Sequence, residues 1–303
     1  QSLNLARRYL EELGCSFPSN KVMARLKAKR DINETKKKCI PTISSLTDMR
    51  MMTDPVAIEM VQLLERAGSA AYLDQQLDAY VMIRCKTLKC MHDFGFLEEA
   101  PGYFASFAIV LMHIIDDIQS TKEIVDVALA ILDKLPSDGS RCRAMMSLTI
   151  YFFGYTQPIQ VAAKRLVETY QLGLKVGNTF TATSSIMWYC YAQFWSGSSL
   201  YVLMDDLSIY VPQMKRLGHK FMASSTSVVW ELAVSLVGID NGVVHPGMGK
   251  IGENDLVNRS KDDMPGIVQR AQVWNKVYLG QYEEAGIQAL GMGGFDHIET
   301  QYV

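Results

Sequence analysis

Two acidic clusters are the first residues in this chain whose types and spacing suggest chemistry. Asp116-Asp117 and the stretch NDLVNRSKD at 254–262, opposed across a helical cavity, would present oxygen ligands for magnesium ions on a prenyl diphosphate, because hard divalent cations take carboxylates and phosphate oxygens together. The match is incomplete. Ser120 stands where the first cluster needs a third carboxylate; Asn258 replaces a hydroxyl and Asp262 a longer glutamate in the second. The plainer expectation is that Asp116-Asp117 closes one helix and leads into the next.

GMGKIG at 247–252 has the glycine spacing of a dinucleotide fingerprint and sets Lys250 beside a glycine, as a phosphate loop does. No strand precedes it, and Ile251 stands where a phosphate loop needs Ser or Thr for its metal, so a flexible connection is the expected role. His92, His113, His219, His245 and His297 form no pair with ligand spacing, and Cys85 with Cys90 lacks the spacing of zinc or redox sites. No G-x-S-x-G stretch occurs, and no serine or cysteine is marked as an activated nucleophile. The basic run Lys21, Arg25, Lys27, Lys29, Arg30, Lys36, Lys37, Lys38 resembles a phosphate-binding patch. It has no interleaved aromatics and includes Asp31 and Glu34, which favours a solvated face or a domain junction.

These residues must be carried by helices. Pro158 suits a first helical turn, because its missing N–H would have no partner there, and Gly177-Asn178 ends the same helix. Between them Ile159, Ala162, Ala163, Leu166, Tyr170 and Leu174 recur at three- and four-residue steps, one buried stripe on an otherwise wet helix. The following helix, Thr179 to Trp195, has no wet face and must be covered on two sides. Trp188, Tyr191, Trp195 and Trp230 are expected in the core. Further helices are expected over 51–68 (N-cap Thr53 or Asp54), 74–94 (ended by Gly95), 97–115, 121–135, 138–153, 200–217, 220–237 and 266–279, with another turn of helix to Leu290. No stretch alternates as an exposed strand would.

Gly177, Phe180, Ala182, Ser184, Ala192 and Gly197 recur 41 residues later as Gly218, Phe221, Ala223, Ser225, Ala233 and Gly238. Gly95 lies two such periods before Gly177. A period in this range belongs to two-helix solenoid repeats, and it has no place in a fold built around paired magnesium clusters. The expected fold is therefore all-α: a right-handed superhelix of antiparallel helix pairs, tetratricopeptide-like, in which helices near 140–154, 179–195 and 220–237 line one layer. WNKVYLGQYEEA (274–285) is expected as a tetratricopeptide-type hairpin, with Gly280 allowing close helix approach and Ala285 under Tyr282.

Composition narrows the function. With 303 residues, 49% hydrophobic and 20% charged, the chain is globular in composition; a net charge of −2 gives no electrostatic reason to bind nucleic acid or an anionic membrane. Apolar runs such as 104–115 are shorter than a spanning helix needs. Six cysteines without dense regular spacing fit a reducing, cytoplasmic setting. A first residue of Gln and an uncapped end suggest a piece of a longer polypeptide.

The Leu13-Gly14 turn, Phe17-Pro18, LTDMRMMTDP (46–55), Ala71-Tyr72, the Gly95 turn, Arg143-Ala144, Pro158, GLKVGN (173–178) and Leu279-Gly280, in this order, resemble the helical-repeat region that follows the nucleotide-binding module of large multidomain predicted ATPases of the AAA/STAND type, often fused to serine/threonine or histidine kinase and sensor domains. The resemblance implies a non-catalytic protein-interaction and coupling scaffold without cofactor or metal. Its partners would be another protein or other domains of the same polypeptide, and any ATPase or kinase activity would lie outside this chain. The organisation then expected is N-terminal helices or a junction at 1–50, a repeat array at 51–238, a long loop at 239–265 and further hairpins at 266–303. Arg143, Tyr189, Gln193 and Glu231, polar-tipped residues of the inner helices, are the expected contact residues on the concave face. The competing expectation is an all-α, terpene-synthase-like enzyme using 116–117 and 254–262.

Overall fold

The computed structural model describes residues 9–10, 17–18, 20–43, 50–73, 76–134, 137–237 and 265–291. These are helical: α1 Lys21–Cys39, α2 Pro55–Leu73, α3 Leu77–Phe94, α4 Ala100–His113, α5 Ile118–Lys134, α6 Asp138–Leu148, α7 Ile159–Lys175, α8 Thr179–Trp195, α9 Leu200–Arg216, α10 Lys220–Val237, α11 Pro265–Tyr278 and α12 Tyr282–Gly291. No strand occurs among the described residues; one isolated parallel bridge pairs Met51 with Phe96. Contacts divide the chain into two compact units, residues 1–156 and 157–303.

In the first unit α3 packs against α1, α2 and α4, and α4 packs against α5 and α6. Helix starts follow local chemistry. Asn20 caps α1 by accepting from the Val22 and Met23 N–H groups, and Asp54 caps α2 by accepting from Val56 and Ala57. The expected helix over 138–153 changes register: α6 stops at Leu148 and Thr149–Phe153 form a π-helical turn, with the Gly154 N–H bonded to the Thr149 carbonyl. Within that widened turn the Tyr151 carbonyl lies 2.8 Å from His113 Nε2, and the Tyr151 hydroxyl lies 2.6 Å from that of Tyr72.

Gly95 ends α3 as expected, though not in the manner of Gly177, and Gly68 plays a different part from the one expected. Gly95 takes φ +101, and a Cβ there would lie 2.4 Å from the Arg50 carbonyl oxygen. Its backbone bonds differ from those of Gly177, so the match two periods earlier is one of residue type and not of turn. Gly68 does not end α2, which continues to Leu73; it leaves room for the guanidinium of Arg84, which a Cβ would meet at 2.7 Å.

In the second unit α7 pairs with α8 and α9 with α10; α8 also packs against α9 and α10, α10 against α11, and α11 against α12. Helix pairs in contact with the next and the next-but-one neighbour are the local signature of stacking. The sequence period is a structural period here. Gly177 and Gly218 have φ +73 and +84, and their turns are bonded alike: each glycine N–H bonds three residues back, and the N–H after it five residues back. That is the left-handed helix ending in which glycine avoids the Cβ penalty. Ala182 and Ala223, Ser184 and Ser225, and Ala192 and Ala233 are buried in pairs. Gly173 is the close-approach position, because a Cβ there would come within 3.0 Å of Ala182. Gly280, expected in that role, has open space around its Cβ position and instead supplies φ +75 to end α11. Ala285 is buried and Tyr282 is exposed.

Tyr191 and Trp230 are in the core as expected, whereas Trp188 and Trp195 are half-buried, their rings tilted against that of Tyr191 at centroid distances of 5.7 and 5.4 Å. The described cysteines, Cys39, Cys85, Cys90, Cys142 and Cys190, are buried and form no disulfide with one another. No described helix is long and apolar enough to cross a membrane.

Candidate interaction site

Tyr189 and Gln193, one turn apart on α8, are brought together on the side facing α9. The Tyr189 hydroxyl donates to Asp206 Oδ2 at 2.7 Å, Gln193 Nε2 donates to the Tyr189 oxygen at 2.9 Å, and Ser198 Oγ donates to Gln193 Oε1 at 3.1 Å. The Tyr210 ring stands edge-on to both Tyr189 and Tyr170, at 6.1 and 5.6 Å. Burial, together with the hydrogen bond to the Asp206 carboxylate, pushes the Tyr189 phenol well above its usual range. Burial likewise raises Tyr210, with Asp206 adding to it. The Tyr189 phenol keeps its proton and donates it to the Asp206 carboxylate, so the network can orient and recognise a polar group. Glu231 is half-buried on α10 of the same unit. Arg143 belongs to the other unit, on α6, where its guanidinium lies 3.9 Å from Glu99.

Asp117 has a structural role. Its carboxylate accepts from the Ser120 N–H at 3.0 Å, capping α5, and forms an ion pair with Lys36 of α1. Burial opposes its charge, but Lys36 and the Ser120 N–H outweigh it and hold the carboxyl below its usual range. Asp116 carries the left-handed φ of +56 that turns the chain into α5. The second acidic cluster (254–262) and the glycine-rich stretch (247–252) lie outside the described residues, as do Cys15 and most of the loop 239–265. Among the described residues no group of three or more His, Cys, Asp or Glu could hold a metal ion. Burial raises the thiols of Cys39 and Cys85 to about 11 and about 12, which removes them as nucleophiles.

Half of the basic run of α1 is paired with carboxylates of its own unit. Lys27 pairs with Asp31 at 2.7 Å, Lys36 with Asp117, and Lys38 with Asp93 at 2.6 Å, while Glu34 receives Lys89 at 3.2 Å. It is a clamp between α1, α3 and the start of α5. Beside it lies a cleft of about 770 Å³ whose walls include Lys37, Ile40, Ile43, Asp126 and Val127. Its sequence signal was the apolar Ile40-Pro41-Thr42-Ile43 directly after the lysines, which nothing local ties to α5.

A buried ionic group that the sequence did not announce sits at the centre of the first unit. Arg84 is 3% exposed, forms an ion pair with Glu65 of α2, and lies 4.9 Å over the ring of Tyr80. Burial works against its charge, yet Glu65 and Tyr80 more than compensate and hold the guanidinium above its ordinary range.

Comparison with protein-family models, with curated proteins and with solved structures returns no match. What the fold defines is a class: an all-α protein, among its described residues, whose polar clusters join neighbouring helices.

Proposed function

We propose that this chain is a non-catalytic protein-interaction and coupling scaffold, a tetratricopeptide-like superhelical array that forms part of a larger cytoplasmic signalling ATPase or kinase. The observation that carries this reading is the repeated turn of the second unit. Gly177 and Gly218 end α7 and α9 in the same conformation, 41 residues apart, and α8 packs on α10. Stacked repeats contact chiefly their neighbours, so they offer extended surface and elastic deformation, both suited to coupling a nucleotide switch to an output domain. The resemblance to the repeat regions of multidomain ATPases supplies the parent. Arg143, Tyr189, Gln193 and Glu231 are the proposed contact residues, and the partner is a protein or another domain of the same polypeptide.

The prenyl-diphosphate reading gains no support from Asp117, whose carboxylate is committed to Lys36 and the cap of α5. The test has two arms. Incubated with magnesium and either ATP or a prenyl diphosphate, the chain should show no turnover; turnover of either would overturn the scaffold reading. In affinity capture, Glu231→Ala and Arg143→Ala should each reduce recovery of a defined partner, and unchanged recovery in both would remove these residues as contacts.

A further inference from the structure

Asp206 carries a charge that no described residue answers. It is half-buried on α9, its Oδ2 accepts the Tyr189 hydroxyl at 2.7 Å, and among the described residues its carboxylate makes no other hydrogen bond and no ion pair. The aspartates of the first unit are held otherwise: Asp31, Asp93 and Asp117 each meet a lysine. A carboxylate taken partly out of water and given only a neutral donor loses solvation without gaining a counter-charge, so a cation brought to it from outside is favoured.

Tyrosines from three helices stand together here. Tyr189 of α8 bonds the carboxylate directly; the ring of Tyr210, one turn along α9, lies edge-on to Tyr189 at 6.1 Å and to Tyr170 of α7 at 5.6 Å. Tyr210 is half-buried and its hydroxyl bonds to no described residue, whereas that of Tyr170 donates to Gln213 Oε1 at 2.7 Å. After burial, Asp206 is the charge that raises both Tyr189 and Tyr210, and no lysine or arginine is among the groups that shift Tyr170 or Tyr210. Aromatic rings attract cations through their quadrupole, and a neighbouring carboxylate adds a full negative charge; together they suit an ammonium or a guanidinium.

We propose that the Tyr170–Tyr189–Asp206–Tyr210 cluster binds a basic side chain of a protein partner, its cation on the Asp206 carboxylate and its methylene stem along the Tyr210 ring. The proposal rests on the scaffold reading and names the chemistry of the partner that meets Tyr189. Asp206 Oδ1 and the Tyr210 oxygen are the open acceptors. Gln193 Nε2, 2.9 Å from the Tyr189 oxygen, holds that phenol in place to donate to Oδ2. A lysine or arginine fits both halves of the cluster, because its stem covers apolar surface while its head keeps polar contacts.

The experiment pans a random dodecapeptide phage library against the full chain and measures synthetic copies of enriched peptides by fluorescence anisotropy. Enriched peptides should carry a lysine or arginine whose replacement by norleucine weakens binding at least about tenfold, and Asp206→Asn should lose about the same factor. Asparagine keeps an acceptor for the Tyr189 hydroxyl, so this variant should melt as the native chain does. Tyr210→Leu leaves the carboxylate in place and should weaken binding about threefold or more; it decides the question if Asp206→Asn misfolds. Absence of enrichment, enriched peptides that need no basic residue, or unchanged affinity for a folded Asp206→Asn would overturn the proposal. So would displacement of the peptide by an equimolar tetramethylammonium salt, which would assign the site to a free quaternary ammonium. Peptides that bind through a basic residue yet ignore both variants sink this cluster and leave the scaffold reading standing.

Discussion

The imidazole Nε2 of His219 sits 3.0 Å from the hydroxyl of Thr179, forty residues earlier, and so joins the start of α8 to the start of α10. Both residues flank the glycine turns of successive repeats, one position out of strict equivalence, so the bond ties one turn to the next. Thr179→Val and His219→Ala should each lower stability by about 1 kcal/mol, with a coupling of about 0.5–1.5 kcal/mol in the double-mutant cycle. Urea denaturation of the four proteins measures it; additive effects would mean the bond contributes nothing net.

Glycine substitutions separate conformation from space. Gly177→Ala and Gly218→Ala meet no neighbour within 4 Å but force a Cβ into the left-handed region, and each should cost about 1–2 kcal/mol. Gly95→Ala should cost more, because it adds a clash with the Arg50 carbonyl to a positive φ. Gly286→Ala, within α12 and in open space, should stabilise by up to about 1 kcal/mol. Thermal melts of the four variants give the ranking.

Arg84→Met leaves the Glu65 carboxylate beside an apolar core and should destabilise by about 3–5 kcal/mol. Removing the partner too, in Arg84→Met/Glu65→Leu, should recover most of that loss. A double variant no better than the single one would place the cost in packing against Gly68 and not in charge.

The Lys36–Asp117 pair gives a pH dependence whose sign is fixed. The folded carboxyl is held below its unfolded value, so the bond's stabilisation is complete above the ordinary aspartate range and fades as pH falls through the lowered value. Asp117→Asn should therefore destabilise at neutral pH and approach the native stability in strong acid. Chemical denaturation at several pH values checks this; a gap that stays constant into acid would contradict it.

Alkylation gives a reading of burial. Cys39, Cys85, Cys90, Cys142 and Cys190 are buried in the fold, and burial raises the thiols of Cys39 and Cys85 to about 11 and about 12. At pH 8 these residues should be unreactive to iodoacetamide in the folded protein and react within minutes once unfolded, as mass spectrometry of peptides would record. Rapid native labelling of Cys85 would show that α3 opens locally.

The helices of the second unit were legible because their determinants are local. The apolar stripe of α7, the uniformly apolar α8 and the glycines at 177 and 218 act within a few residues of themselves, and the helices run within a residue or two of the expected limits. The all-α class followed from the same periodicity.

Tertiary structure decided what depends on residues far apart in the chain. Gly95 resembles Gly177 in type, yet its role is set by the Arg50 carbonyl; Gly68 looks like a helix end until Arg84 fills the space above it. Tyr189 reads as a free polar tip on an inner helix, but its hydroxyl is committed to Asp206 of α9, seventeen residues on. The lysines of α1 read as a patch, and only the approach of α3 and the start of α5 turns them into a clamp. A hydrophobic period fixes which face of a helix is buried, whereas the partner a polar side chain meets is fixed by the packing of helices whose contacts no local pattern encodes.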